Sequence, residues 1–478
     1  MDEKTGLGYW AQRVLAELAN VNRNFDPDPV HDLRVAIRRC RSMADALLAV
    51  DPDPGWKQQK KLAKALFSRL GELRDVQVME EWVAHLGEPG DPVRNVLLRL
   101  LASREAQLKN DAQNAVFTFD QKYWQSLCQR LSPRTRAIPL EGMVFQHMAV
   151  ERWQRAHELH RQALRNRTQI ALHRLRIGLK KFRYTLENFL PQRHAKWGSD
   201  LRNLQDLLGD IHDMDVLAGI LRTCTGLQQE ERELWIKRIH QQQKERLEKY
   251  REKMLGRNSL WRTWREDLPA GPRLQEAAFA RLRTWGAFLD PDIKHSKHVT
   301  QLALQLYDGL TRDDILPSSQ KQRRILETAA LLHDVGIAKG NRAHHKQSYR
   351  LIRKMTVPFG WTPLELLAAG AVARYHRGAL PNREHKCLRQ LPAAVRPFVI
   401  RLAGVLRLAN AFDLSHDGKV RCLQVERNNG TVVIHPEGYS PTGPTAERIA
   451  AARYLLEASC QIAVVVRASN RSAVLESS

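Results

Sequence analysis

Paired cysteines are missing from this chain of 478 residues. Cys40, Cys128, Cys224, Cys387, Cys422 and Cys460 lie far apart, and none belongs to a CxxC pair. That excludes a zinc ribbon and a disulfide framework and fits a reducing compartment. Long apolar runs are missing too. Stretches such as IAVVV, near Val465, fall far short of the ~20 residues that a membrane span needs. The first residues, MDEKTGLGYWAQR, lack an apolar signal core, so the expectation is a cytoplasmic protein without a membrane partner. Hydrophobic residues make up 43% and charged residues 27%. That composition excludes a disordered chain and supports two or three packed domains.

Acidic residues are in deficit. There are 76 Lys and Arg against 52 Asp and Glu, giving +24. Such a surplus points to a polyanion: nucleic acid, anionic lipid or polyphosphate. The surplus is localised. Residues 1–100 balance at 15 basic and 15 acidic, whereas residues 151–200 carry 12 basic and 4 acidic. Residues 251–400 carry 26 and 13.

Part of the chain is duplicated. His31-Asp-Leu-Arg-Val-Ala-Ile-Arg-Arg-Cys-Arg41 resembles His173-Arg-Leu-Arg-Ile-Gly-Leu-Lys-Lys-Phe-Arg183. A second pair follows in the same order: Leu70-Gly-Glu-Leu-Arg-Asp75 against Leu208-Gly-Asp-Ile-His-Asp213. The offsets, 142 and 138 residues, nearly agree, so residues 1–255 read as two copies of one helical unit. Leu33, Ile37, Ala44 and Leu47 recur at helical spacing. Pro27 and Pro29 mark the start of that helix; Pro52, Pro54 and Gly55 mark its end. On an ideal helix His31, Arg34, Arg38 and Arg41 fall within roughly 80° of arc, as do His173, Arg176, Lys180 and Arg183. Such cations repel one another by a few tenths of a kcal/mol per neighbouring pair, and an anion bridging them would relieve that. Lys57, Lys60, Lys61 and Lys64 suggest a further stripe. The acids Asp75, Asp210, Asp213 and Asp215 read as helix caps and salt-bridge partners, or alternatively as metal ligands.

HDLRVAIRRCRS, LGELRDVQV, HRLRIGLKKFRY and LQDLLGDIHDMDVL resemble the conserved-histidine alpha-helical domain, the CHAD family, over about residues 5–255. The resemblance implies two pseudo-symmetric four-helix bundles with a basic channel between them for inorganic polyphosphate. Carried over position by position, the ligand-lining set is His31, Arg34, Arg38, Arg39, Arg41, His173, Arg176, Lys180, Lys181 and Arg183. Lys57, Lys60, Lys61 and Lys64 are added to it. Arg grips phosphate oxygens with a planar fork and Lys supplies a mobile charge. The ExExK signature of the triphosphate tunnel enzymes, which often accompany this domain, is not found here.

The second half has a different pattern. The mixed-charge run 228–254 reads as a helix closing the first domain, and Pro269, Gly271 and Pro272 as a linker. Then come His295 and His298, AALLHDVGIAKG with His333 and Asp334, His344 and His345, ARYHRG with His376, and LRLANAFD with Asp413. Imidazoles and carboxylates on separate helices can converge on one or two divalent cations. Lys339, Arg342, Lys346, Arg374 and Arg377 flank them as candidate phosphate-binding groups.

This series resembles the HD superfamily. In particular it is similar, over about residues 275–420, to the HD-like helical domain of the exopolyphosphatase and guanosine pentaphosphate phosphohydrolase family. The resemblance implies a divalent metal held by His298, His333, Asp334 and Asp413, with His344 and His376 completing a second site. Asp334 and Lys339 are the catalytic candidates; His295 and His345 are neighbours outside the set. Beyond it, the strands VRCLQVER and TVVIHPE flank the turn Asn428-Asn429-Gly430, followed by a helix AERIAAARYLLEA and a strand IAVVVRAS. This resembles the small α+β module that closes the longer exopolyphosphatases. The Gly-rich loops of their actin-like catalytic domains are not found, so exopolyphosphatase activity is not implied.

The expected fold is mainly α. Residues 1–258 form the helical repeat, 272–418 an HD-like domain and 419–478 an α+β module. The expected function is polyphosphate binding coupled to an HD-type, metal-dependent phosphohydrolase acting on a nucleotide or other phosphorylated substrate. Two alternatives stand beside it. One is a non-enzymatic scaffold at polyphosphate granules whose HD-like half only binds polyanion or nucleotide; the other is a nucleic-acid-binding protein.

Overall fold

The structure, a computed structural model, describes residues 6–468. These fall into two compact units that meet in sequence between Ala277 and Ala278. The protein is mainly α with a small sheet near its C-terminus. The ends of the two expected outer domains, residues 1–5 and 469–478, lie outside the described residues, as does Ser469 of the last expected strand.

The first unit opens with α1 (Gly6–Arg23), α2 (Pro27–Leu47), α3 (Gly55–Leu86), α4 (Pro92–Phe117) and α5 (Gln121–Arg136). It continues with α6 (Met143–Asn166), α7 (Gln169–Phe189), α8 (Pro191–Thr223), α9 (Gln229–Met254) and α10 (Leu260–Glu266). The repeat is visible in the lengths. Helices α2 and α7 have 21 residues each, α3 and α8 have 32 and 33, and α4 and α9 have 26 each. Equivalent positions are buried in both copies: Leu33, Ile37, Cys40 and Ala44 in α2; Leu175, Leu179, Phe182 and Leu186 in α7. Each such large side chain contributes about 1.5–3 kcal/mol on burial. Local chemistry sets the starts. Asp91 accepts from Val93 N at 2.9 Å with Pro92 behind it, and Thr168 accepts from Ala171 N at 3.2 Å. Gly55 opens α3 rather than closing α2, because Asp53 Oδ1 accepts its N–H at 2.7 Å.

Between the units in sequence runs α11 (Gly271–Ala287), so Gly271 and Pro272 start a helix where a linker was expected. The second unit continues with α12 (Ile293–Arg312), α13 (Gln320–Leu331), a short 3₁₀ turn (Val335–Lys339), α14 (His344–Lys354) and α15 (Pro363–Arg374). Then come α16 (Lys386–Arg389), α17 (Arg396–Phe412), β1 (Cys422–Asn428), β2 (Thr431–Glu437), α18 (Pro444–Ala452), α19 (Tyr454–Cys460) and β3 (Ala463–Val466). Asn428 pairs with Thr431 across a two-residue turn in which Asn429 and Gly430 have φ of 44° and 76°. Strand β3 adds parallel to β2. The helix expected over AERIAAARYLLEA is two helices, α18 and α19. Val425, Ile434 and Val464 of the sheet join Leu302, Leu406 and Leu456 of the helices in one continuous core.

Candidate functional site

In the first unit α2 packs on α7, and α3 on α8. A cavity of about 700 Å³ opens along them, lined by Arg38, Arg74, Arg176, Lys180, Arg183 and Arg246 together with Glu81, Asp206, Asp210 and Asp213. Four of these cations belong to the expected set; Arg74 and Arg246 do not. Burial, reinforced by Arg176 and Arg38, brings Lys180 down to about 8. Burial raises Asp213 to about 6, with Arg176 opposing and Asp75 and Asp210 reinforcing. The acids of the second motif lie inside α3 and α8, so they cap nothing. Asp210 accepts from Arg246 Nε at 2.8 Å, and Asp215 from Gln169 and Gln243 at 2.7 Å each.

Other members of the expected set have different tasks. The Arg39 guanidinium pairs with Glu187, and Lys181 Nζ lies 3.9 Å from Asp45. Residue 187 is residue 45 moved by the repeat offset of 142, and 181 is 39 moved likewise. The two copies therefore exchange equivalent ion pairs across their contact. Both acids lie four residues beyond the basic stripes, after Arg41 and Arg183, and the motifs themselves give no sign of them. Arg34 donates to Leu70 O, and Arg41 lies over the Phe67 ring at 4.4 Å. Lys60 pairs with Asp45, while Lys57, Lys61, Lys64 and His31 are exposed. The His173 ring rests 4.8 Å from that of His212, which burial and Arg176 push down to about 4.

The second unit gathers its histidines at helix ends. His295 sits in the first turn of α12, and His333 and Asp334 follow α13. His344 opens α14, His376 follows α15, and Asn410 lies in the last turn of α17. Gly336 makes this approach feasible: a Cβ there would stand 2.1 Å from His344 O and 2.5 Å from Ser348 N. Ser348 clamps the turn, donating to His333 O at 2.6 Å and accepting from Gly336 N at 2.9 Å. Two donor groups result, His295–His333–Asp334 and Asp334–His344–His376, with ligand atoms within 4.8 Å of one another in each.

Their tautomers follow from their partners. Nδ1 of His333 meets Ala330 O at 2.7 Å, that of His344 meets Asn341 O at 3.1 Å, and that of His376 meets Ala373 O at 2.7 Å. A carbonyl only accepts, so each Nδ1 carries the proton. His295 Nδ1 donates to Asp413 Oδ2 at 2.7 Å. In the neutral rings all four Nε2 atoms are then acceptors. His344 and His376 face each other Nε2 to Nε2 at 3.2 Å, and Asp334 Oδ1 lies 3.1 and 3.5 Å from them. That oxygen is buried and receives no hydrogen bond among the described residues. Asn410 Oδ1 is 3.1 Å from Nε2 of both His295 and His333. Acceptors crowded on acceptors in a buried site fit a cation between them. Burial opposes ionisation of Asp334; only protonated His333, His344 and His376 would outweigh it and hold the carboxyl well below its usual range.

The grouping differs from the expected one at two places. His298 Nε2 turns to Val420 O at 2.9 Å, and His295 occupies the centre in its stead. Asp413 stands behind His295, and its other oxygen accepts from Gly418 N at 2.9 Å. Asn410, one helical turn earlier, faces the histidines; an amide gave no signal where a carboxylate was sought. Lys339, Arg342, Lys346 and Arg377 are exposed, and Arg374 is half-buried against Tyr375. The His345 ring lies 6.1 Å from that of His344 and outside both donor groups.

Residues 10–222 match the family model of the CHAD domain, and residues 286–433 match that of Ppx/GppA phosphatase, domain III. The chain thus joins an N-terminal CHAD domain to a C-terminal domain like the accessory domain of those phosphatases, a pairing that fits a polyphosphate-related protein. No curated protein matches it. No helix among the described residues is long and apolar enough to cross a membrane.

Proposed function

We propose that this chain, a CHAD domain followed by a Ppx/GppA-like domain III, captures inorganic polyphosphate in its N-terminal cavity and hydrolyses a phosphate bond at its C-terminal His/Asp centre. Its domains would span residues 1–258, 272–418 and 419–478. Polyphosphate binding is supported by Arg38, Arg176, Lys180 and Arg183 meeting in one cavity, since such a row of cations suits a repeating anion. The chain would act in the cytoplasm, in keeping with six cysteines that form no disulfide.

The hydrolytic reading rests on one observation, the Nε2 lone pairs of His344 and His376 aimed at each other at 3.2 Å beside Asp334. His295, His333, Asp334, His344 and His376 would hold divalent metal, with Asp334 common to both groups. A bound metal would acidify a water and polarise a phosphoryl oxygen. Ala330, Asn341, Ala373 and Asp413 keep the Nδ1 protons in place and so fix the rings. Arg374, half-buried two residues before His376, is a candidate to neutralise phosphate charge. The exposure of Lys339, Arg342, Lys346 and Arg377 favours the second reading, a scaffold whose domain binds polyanion without cutting it.

Metal analysis of the purified chain, with phosphate release from phosphoester and phosphoanhydride substrates, tests the first reading. Asp334→Ala is expected to abolish both; if both survive unchanged, the centre is not catalytic. Competition of long-chain polyphosphate against duplex DNA at matched ionic strength tests the partner, and tighter DNA binding would overturn it.

A further inference from the structure

The N-terminal cavity is uneven along its length. Near Asp75 it holds Arg38, Arg176 and Lys180. Toward the C-terminal half of α3 its cations are committed to carboxylates. Arg74 Nη1 pairs with Glu81 at 2.9 Å, and Arg246 Nε with Asp210 at 2.8 Å. Asp206 adds another acid there, next to Asp210 and to Arg183, whose Nη1 already donates to Gln205 Oε1 at 2.7 Å. What this end offers is aromatic: Trp82, with the Arg246 guanidinium 5.0 Å from its ring centroid, and the imidazole of His85 at 5.8 Å. Trp82 follows Asp75 by seven residues on one face of α3, about 10 Å along the axis. A phosphate chain continuing that way would meet Glu81, Asp206 and Asp210. A nucleobase would meet a π face, and its N–H groups and the sugar hydroxyls would meet acceptors.

We infer that the cavity accepts a nucleoside oligophosphate, its phosphates on Arg38, Arg176 and Lys180 and its base against Trp82. This rests on the reading that the cavity binds phosphate. The volume of about 700 Å³ suits a ligand of that size. Glu81, Asp206 and Asp210 would accept from the base and sugar, a task that plain polyphosphate leaves unfilled.

The test is titration calorimetry of the full chain with ATP, GTP and tripolyphosphate, in EDTA and at matched ionic strength. At least one nucleotide is expected to bind about tenfold tighter than tripolyphosphate despite its smaller charge, the margin that base–aromatic stacking supplies. Trp82→Leu, which keeps an apolar side chain against Val83 and its neighbours, should erase that margin and leave tripolyphosphate unaffected. Glu81→Gln frees Arg74 without touching the apolar cluster, and should narrow the margin by improving tripolyphosphate. If tripolyphosphate binds as tightly as both nucleotides, or if the margin survives both substitutions, the nucleoside site is refuted and phosphate binding stands. If no ligand binds, both readings fall together.

Discussion

In the first unit, six guanidinium and ammonium groups share a cavity with four carboxylates. In the second, five imidazole and carboxylate groups point their acceptors at shared, buried points. The first arrangement is graded. Its cations differ in burial and are partly neutralised by their own neighbours, so each contributes a fraction of the field. The second is directional. Fixed tautomers leave lone pairs with one direction to serve, and a missing atom cannot be replaced by a neighbour. Charge of the first kind suits a long flexible anion bound in many registers; donors of the second kind suit one small cation.

Asp334 is where this contrast breaks most visibly. Both donor groups use it, so Asp334→Asn should remove bound metal at every site, as read by elemental analysis. Retention of stoichiometric metal would end the comparison. In the cavity the corresponding change is incremental. Arg38→Glu with Lys180→Glu should weaken polyphosphate capture and lower the slope of log K against log salt by about one for each cation lost. An unchanged slope would place the polymer elsewhere.

The outer partners of the centre come next. Asp413→Asn leaves every proposed ligand in place but releases the His295 ring, and should cost about 10–100-fold in metal affinity. Asn410→Asp works in the opposite direction, adding a charged oxygen beside His295 and His333. Weaker metal binding in that variant would mean the amide is only a spacer.

Protons act on the cavity more gently. Lys180, at about 8, loses its charge as pH rises through that value, and a bound polyanion favours the charged form. Affinity should therefore fall between pH 7 and 9. Asp213, at about 6, becomes neutral below that value and ceases to repel phosphate, so affinity should rise toward pH 5. Lys180→Arg keeps its charge and should flatten the alkaline limb. Tighter binding at pH 9 than at pH 7 would reverse the sign.

How much of this was legible in the sequence depended on periodicity. The two basic stripes and the apolar positions beneath them repeat at 3.6 residues, so α2 and α7 and their relation could be read directly. Which way a side chain leans at a helix end has no such signal. His295 and His298 are three apart on α12 and equally placed by spacing; the difference is Val420 O, 122 residues away, which claims His298. Asn410 and Asp413 are likewise one turn apart, and chemistry alone favoured the carboxylate. Arg74 lies inside the repeated motif LGELRDVQV, yet its place in the cavity depends on the packing of α3 against α8. Arg246 came from a helix whose mixed charge suggested only that it closes the first domain.

The smallest effect separates the two copies themselves. Arg39 with Glu187 and Lys181 with Asp45 occupy equivalent positions, but their surroundings differ. The side chains of the first pair are 19% and 11% exposed, those of the second 49% and 29%. Asp45 also has Lys60 and Arg152 beside it, so loss of Lys181 leaves it paired. Among the described residues Glu187 would keep one ion pair with a cationic side chain, to Arg183 at 3.8 Å, and Asn188 Oδ1 would lose the donor that Arg39 provides at 3.1 Å. Arg39→Ala should therefore cost about 2–3 kcal/mol, because a half-partnered carboxylate stays in a desolvated contact. Lys181→Ala should change stability by about 0.5 kcal/mol or less, as exposed pairs do. Urea midpoints of the full chain compare the two. Equal shifts would mean that the copies meet on equal terms, and that burial does not divide their otherwise matching ion pairs.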